Sequence, residues 1–74
     1  MSGYFLKNEK GEYLSKLDGA NHKLEFTTDV EKAKNYAGMP GGGFWDAENE
    51  QQFIQFHFKD EYKEKVTTLR VVDN

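Results

Sequence analysis

Apolar and polar residues alternate along the first third of the chain. Two aromatic-rich runs, Tyr4-Phe5-Leu6-Lys7 and Glu12-Tyr13-Leu14-Ser15, flank a short polar stretch that ends at Gly11. That arrangement is typical of a β-hairpin. The next run, Lys23-Leu24-Glu25-Phe26-Thr27, alternates charged and apolar residues with a period of two, as a half-buried strand does. The pattern therefore predicts three consecutive strands.

The spacing of apolar residues changes after the third predicted strand. Thr28 and Glu31 are placed as in a capping box, in which each side chain accepts a hydrogen bond from the backbone amide of the other residue. The apolar residues beyond them recur at helical spacing: Val30, Ala33 and Ala37. Gly38 suits the end of a helix, and Pro40 prevents its continuation. These features predict a helix over residues 29–37.

The second half of the chain combines a glycine-rich stretch with another alternation. Residues 38–52 contain too much glycine and charge for a core element, so we predict a long loop there. Residues 53–58 alternate again and predict a central strand. The charged stretch 59–65 predicts a turn, and 66–72 are rich in β-branched residues, which favours a last strand.

Together these segments predict an α+β fold: a small antiparallel sheet of four or five strands with one helix, in the order β-β-β-α-β-β. A chain of 74 residues buries only about 60% of the surface that it exposes when unfolded, so we expect residues 1–74 to form a single domain. The predicted core consists of apolar side chains from the strands: Leu24, Phe26, Ile54, Phe56, Phe58, Leu69 and Val71.

Composition and charge exclude several classes of function. The chain has no cysteine, which rules out a disulfide framework and a thiolate metal site. Its N-terminus lacks a signal-peptide pattern, and no apolar run approaches the roughly 18 residues of a membrane span, so we expect a cytoplasmic protein with no membrane partner. The net charge is −3, with seven acidic and four basic residues in 38–74. Direct nucleic-acid binding is therefore not expected.

The residue patterns do not point to an enzyme, a cofactor or a metal site. His22 and His57 are the only histidines and lack the spacing of zinc ligands. Neither Ser2 nor Ser15 lies on the strand-to-helix turn of a nucleophilic serine. The alternate acids in 46–50 resemble the start of a calcium loop, but the glycine and the last glutamate of that motif are missing. We expect no catalytic residue, no cofactor and no metal ligand.

Segment 41–50 is the best candidate for an interaction site. Exposed Trp and Phe bury a large area on binding, and neighbouring glycines allow a loop to adapt. Alternate acids would supply a charged rim. The predicted partner-binding residues are Phe44, Trp45, Asp46, Glu48 and Glu50. A competing interpretation is that Trp45 closes the edge of the core.

The glycine run in the same segment allows a different kind of site. Successive backbone N–H groups can bind a phosphate, and an adjacent tryptophan can stack on a base. The residues of this alternative ligand-binding site are Gly41, Gly42, Gly43 and Trp45. The run lacks the Gly-Lys-Ser/Thr ending of a P-loop and follows the predicted helix instead of opening one.

The first half of the chain contains three segments that carry a resemblance. They are Tyr4-Phe5-Leu6-Lys7-Asn8, Gly11-Glu12-Tyr13-Leu14-Ser15 and Phe26-Thr27-Thr28-Asp29-Val30-Glu31-Lys32-Ala33. Together they resemble small uncharacterised proteins of bacteriophages and prophages of Gram-positive hosts. The resemblance implies an accessory protein that binds and inhibits a host protein, such as a defence component, in the host cytoplasm. Acidic residues would suit a basic cleft on that partner.

Other interpretations of the same segments stay open. The aromatic-Leu-x-Asn and Gly-x-Tyr-Leu-Ser strings also resemble one lobe of a β-trefoil, which would require three chains to assemble. An oligomeric protein that sequesters a small anionic or nucleotide signal molecule is the alternative function. Because one helix covers only one side of a sheet, we also predict that the protein associates with a partner or forms a homo-oligomer.

Overall fold

The computed structural model describes residues 3–74. Its elements follow in this order: β1 Tyr4–Lys7, β2 Tyr13–Asp18, β3 Lys23–Thr27, a 3-10 turn Val30–Lys32, α1 Phe44–His57, α2 Lys59–Val66 and β4 Arg70–Asp73. Over the described residues the fold is α+β, with one antiparallel four-stranded sheet and two α-helices. The predicted fold class is confirmed. The predicted element order is matched only in part, because a helix replaces the fourth predicted strand.

The sheet has the strand order β3-β2-β1-β4. Phe5 of β1 lies opposite Val72 of β4, and Leu14 of β2 lies opposite Phe26 of β3. The three N-terminal strands therefore form where the alternation predicts them. The last strand is shorter than the predicted 66–72, and it returns from the far end of the chain to pair with β1.

The pairing of β1 with β4 continues beyond the two strands. The Gly3 N–H donates to the Asn74 carbonyl, and the Asn74 N–H donates to the Gly3 carbonyl, both at 2.9 Å. The two ends of the described chain are thus adjacent, at the same end of the β1–β4 ladder.

The helix predicted over residues 29–37 is wrong. Val30–Lys32 form a 3-10 turn, and the chain is already extended at Ala33. The turn is capped by Asp29, whose carboxylate accepts from the Glu31 N–H at 3.0 Å, and not by the predicted capping box at Thr28.

The sheet binds the backbone amides that a longer helix would have used. The Lys34 N–H donates to the Leu14 carbonyl and the Tyr36 N–H donates to the Tyr4 carbonyl, both at 2.9 Å. Segment 34–36 is therefore attached to both β1 and β2, and the Tyr36 side chain is buried. These long-range contacts override a local helical spacing that is only a weak preference.

A helix fills most of the region predicted as loop and strand. α1 begins at Phe44, so the loop is confined to residues 38–43, and the strand predicted over 53–58 is wrong. Alanine, glutamate and glutamine, which are strong helix formers, dominate residues 47–52. The buried residues on this side are Ala47, Ile54 and Phe58, which follow one another at helical spacings. α2 likewise replaces the turn predicted at 59–65.

The core joins the sheet to α1 and α2. Its buried members are Leu6, Leu14, Leu24, Tyr36, Ala47, Ile54, Phe58, Val66 and Leu69. Of the predicted core residues, Phe26 and Val71 are half-buried against this cluster. Phe56 is the exception, since it is 73% exposed. Neither helix described in residues 3–74 is long and apolar enough to cross a membrane.

Candidate functional site

The large hydrophobic side chains that are exposed within residues 3–74 all belong to α1. They are Phe44 at 49%, Trp45 at 59%, Phe53 at 45% and Phe56 at 73% exposure. A helix turns by about 100° per residue, which places one group of side chains on the side of α1 that points away from Ala47 and Ile54. We call this group the outer face: Trp45, Asn49, Gln52, Phe53 and Phe56. Phe44 lies outside this group, against Tyr4 of β1.

Local contacts hold the aromatic residues of α1 in place. The Phe44 ring meets the Tyr4 ring edge-on, with the ring centres 5.8 Å apart. The His57 ring lies between Phe53 and Phe56, at 4.4 Å and 4.9 Å from their centres. These rings are therefore ordered on the surface by contacts with one another and with the sheet.

The Trp45 indole lies against the backbone of the glycine loop. A Cβ added at Gly41 would come within 2.5 Å of both the Trp45 ring and the Asp46 carboxylate. Glycine at this position therefore allows the indole to rest against the backbone while more than half of the residue faces solvent. The competing interpretation, in which Trp45 closes the edge of the core, does not describe this arrangement.

Two of the three glycine amides already have partners inside the protein. The Gly42 N–H donates to the Met39 carbonyl at 3.0 Å, and the Gly43 N–H donates to the Asp46 carboxylate at 3.2 Å. Asp46 thus supplies the negative charge that the N-terminus of a helix favours. A phosphate bound at Gly41, Gly42 and Gly43 would have to displace this carboxylate or lie beside it. The geometry does not favour the alternative ligand-binding site.

Glu50 has a different environment from that of a charged rim. Its Oε1 accepts from the Lys34 ammonium at 2.7 Å and from the Tyr36 hydroxyl at 2.5 Å. Burial, and then the bond to Glu50, raise the pKa of the Tyr36 phenol well above its usual range. The phenol is therefore a neutral donor. Glu50 therefore connects segment 34–36 to α1 through hydrogen bonds. The acids on either side of the outer face are instead Asp46 and Glu48, which are half-buried.

The structure brings the predicted partner-binding residues onto one helix, although they were predicted on a loop. Phe44, Trp45, Asp46 and Glu48 lie in its first turns, and Glu50 points toward the core. The prediction missed Phe53 and Phe56, which it assigned to a strand. The spacing Trp45, Asn49, Gln52, Phe56 alternates four and three residues and could have indicated an exposed helical stripe.

The other surfaces of residues 3–74 have fewer features of a binding site. A hollow of about 340 Å³ lies along α2 and is lined by charged residues and Tyr62. No group of three or more His, Asp or Glu side chains in residues 3–74 is placed to hold a metal ion. Comparison of the chain with family models, with curated proteins and with solved structures found no match.

Proposed function

We propose that this chain is a small accessory protein that binds another protein through the outer face of α1 and thereby blocks it. The observation that supports this proposal is the concentration of exposed aromatic side chains on one helix. Following the resemblance to phage proteins, the partner is a host protein, such as a defence component, in the host cytoplasm.

The size of the outer face supports a binding role. A buried Trp or Phe covers on the order of 150–250 Å², so the exposed parts of Trp45, Phe53 and Phe56 amount to about 400 Å². The largest apolar patch of a monomeric protein is about 300–600 Å² and is often functional. A domain of 74 residues concentrates such a patch on one element, and none of these three residues belongs to its core cluster.

The charges beside the outer face favour a basic partner. Asp46 and Glu48 lie on its two sides, and the chain as a whole carries a net charge of −3. A basic cleft would attract this surface before contact and would fix its orientation. The aromatic rings would then supply most of the affinity, because Trp and other large side chains at the centre of an interface dominate binding.

The proposal is tested by capture followed by measurement on purified components. A protein captured from bacterial lysate is purified and titrated by calorimetry with the unmodified chain, with Trp45→Ala and with Phe56→Ala. Each variant should weaken binding by about 2 kcal/mol or more, roughly 30-fold. Lys63→Ala on α2 is the matched surface control and should bind normally.

The same experiment contains the outcomes that contradict the proposal. Binding that survives both aromatic substitutions would place the interface elsewhere, and no captured protein would argue against a protein partner. Recovery of a bound nucleotide in place of a protein would favour sequestration of a small anionic molecule. An activity assay of the captured protein then separates inhibition from simple binding.

A further inference from the structure

We propose that two copies of this chain pair through the outer faces of their α1 helices, in antiparallel orientation, around a two-fold axis between residues 50 and 51. The pairing uses the surface of the proposed function, but it rests on the spacing of the outer-face residues and not on the existence of another partner. The occupant is a second copy of the same chain.

The midline of the outer face, which leaves out Phe53, has the same pattern from either end. Along its midline, Trp45, Asn49, Gln52 and Phe56 follow at spacings of four, three and four residues. That is the spacing of a heptad stripe, the seam along which helices pair side by side. The two aromatic positions and the two amide positions share one midpoint, between residues 50 and 51. A symmetric interface requires such self-complementarity, whereas binding to an unrelated partner does not.

An antiparallel pair matches the chemistry of these four positions. Trp45 meets Phe56 of the partner subunit, so aromatic rings cover one another at both ends of the contact. Asn49 meets Gln52 of the partner subunit, and each amide has both donors and an acceptor for the other. The polar groups nearest the axis therefore keep hydrogen-bond partners when water is excluded. A polar pair inside an apolar seam also fixes the register.

The acidic residues of α1 favour the antiparallel orientation over the parallel one. Asp46 and Glu48 lie near the N-terminus of the helix, so a parallel pair would place the acids of both copies together. In the antiparallel pair, Asp46 and the partner's Asp46 are separated by about nine residues along the axis, on the order of 13 Å. The helix dipoles then also lie in opposite directions.

The available area limits the strength of the dimer. With Asn49 and Gln52 included, the outer face exposes on the order of 600 Å² per copy, so a dimer would bury at most about 1,200 Å² in total through these residues. That is the lower end for a specific interface, and it corresponds to a weak, reversible dimer. Each copy carries a net charge of −3, so added salt should strengthen the association by screening the repulsion.

The dimer and a partner protein would compete for the same residues. At high concentration the outer face is covered by a second copy, and on dilution it becomes free. Self-association therefore protects an aromatic surface that would otherwise be exposed to non-specific contacts, and a host protein must bind more tightly than the second copy does.

Sedimentation equilibrium of the full chain, from micromolar to millimolar concentration, tests this inference. The unmodified chain should fit a monomer–dimer equilibrium, and Phe56→Ala should raise the dissociation constant at least about tenfold. Lys63→Ala is again the control and should leave the constant unchanged. Circular dichroism confirms that each variant keeps its fold, which is expected because the outer face is exposed.

A charge exchange tests the orientation. Asn49→Lys should weaken the dimer, because Gln52 of the partner subunit cannot neutralise the new charge. Adding Gln52→Glu to the same chain should restore it, since the antiparallel pair then contains two symmetric contacts between Lys and Glu. A parallel pair would bring Lys beside Lys and would not recover.

The outcomes separate this inference from the proposed function. A chain that stays monomeric at every concentration, or a dimer that ignores the outer-face substitutions, overturns the inference. So does a double variant that fails to recover. If the chain is monomeric but Trp45→Ala still abolishes binding to a captured protein, only the dimer is wrong. If it dimerises as described and captures nothing, only the proposed function fails.

Discussion

β3 and the C-terminal part of α1 have the same alternation of apolar residues but form different structures. In β3, Leu24 and Phe26 are two residues apart and both contact the core. In residues 53–58, the buried residues are Ile54 and Phe58, four apart, while Phe56 between them is 73% exposed. The strand buries every second residue and the helix every third or fourth. An alternating run of six residues fits both patterns.

The flanking residues decide between the two structures. β3 is preceded by a tight turn, and its neighbour β2 supplies a ladder of hydrogen bonds. The run 53–58 is preceded by a stretch of alanine, glutamate and glutamine that continues one helix, with Ala47 seven residues before Ile54 on the same side. The comparison teaches that an alternation in a short aromatic run needs its neighbours before it indicates a strand.

The largest loss of stability should come from replacing Phe58, the buried ring at the junction of α1 and α2. Phe58→Ala should reduce the free energy of unfolding by about 3–5 kcal/mol, because it removes a buried aromatic side chain and leaves a cavity. Phe56→Ala is the matched control, and its effect should stay within about 0.5 kcal/mol. Urea denaturation below the concentration at which the chain dimerises measures both. Equal losses at the two positions would support the strand pattern over the helix.

A smaller loss of stability is expected when Tyr36 is replaced, because its hydroxyl connects segment 34–36 to α1. Tyr36→Phe removes a hydrogen bond to a carboxylate that is mostly buried, and it should cost about 1.5–3 kcal/mol at neutral pH. Denaturant titration of the variant beside the unmodified chain provides the measurement. A loss near zero would show that Lys34 alone holds Glu50 in place.

The difference in unfolding free energy between the unmodified chain and Tyr36→Phe should depend on pH, because the pKa of Tyr36 is raised in the folded protein. In the unfolded chain the phenol ionises near its ordinary value of 10.0, and in the folded protein only at higher pH. The contribution of Tyr36 is therefore fully present below about pH 10 and is lost as the pH rises above it. The stability difference between the unmodified chain and Tyr36→Phe should be constant from neutral pH to about pH 10 and should narrow beyond that.

The smallest loss of stability should come from replacing Asp18, the last residue of β2 before the turn to β3. Its carboxylate accepts from the Asn21 side-chain amide at 2.8 Å and from the Asn21 N–H at 3.1 Å, and these bonds lower the pKa of Asp18 below its ordinary value of 3.8. Asp18→Ala should lower the melting temperature slightly at neutral pH. Because a depressed pKa stabilises only the charged form, the difference should disappear as the pH falls below 3.8. A difference that persists in acid would mean that the side chain acts in another way.

The sequence predicted the sheet better than the helices. β1 pairs with β2 and β2 pairs with β3, and these strands are neighbours in the chain, so short alternating runs and a glycine turn were enough to find them. Residues 29–37 have helical spacing, but Lys34 and Tyr36 bind strands that lie far away in the chain, and no local pattern contains that information. The glycine run 41–43 indicated a flexible loop. The helix that begins directly after it was therefore not predicted.

The candidate site was predicted in part for a similar reason. Phe44 and Trp45 were identified because exposed aromatic residues bury a large area on binding, and that argument does not depend on the secondary structure. Phe56 was assigned to the core because the strand pattern placed it there, and the same pattern left Phe53 outside both the core and the predicted site. The helix places both residues on the outer face, and Glu50 in turn becomes a structural residue bound to Tyr36.

The adjacent ends of β1 and β4 have a mechanical consequence. Gly3 and Asn74 are joined by hydrogen bonds in both directions, at one end of an antiparallel ladder. A force that pulls these two residues apart acts across the strands, so the hydrogen bonds of the ladder carry the load one after another. A shearing force would load all of them at once. The domain should therefore open at low tension when it is pulled by its ends, with β4 peeling away from β1 first.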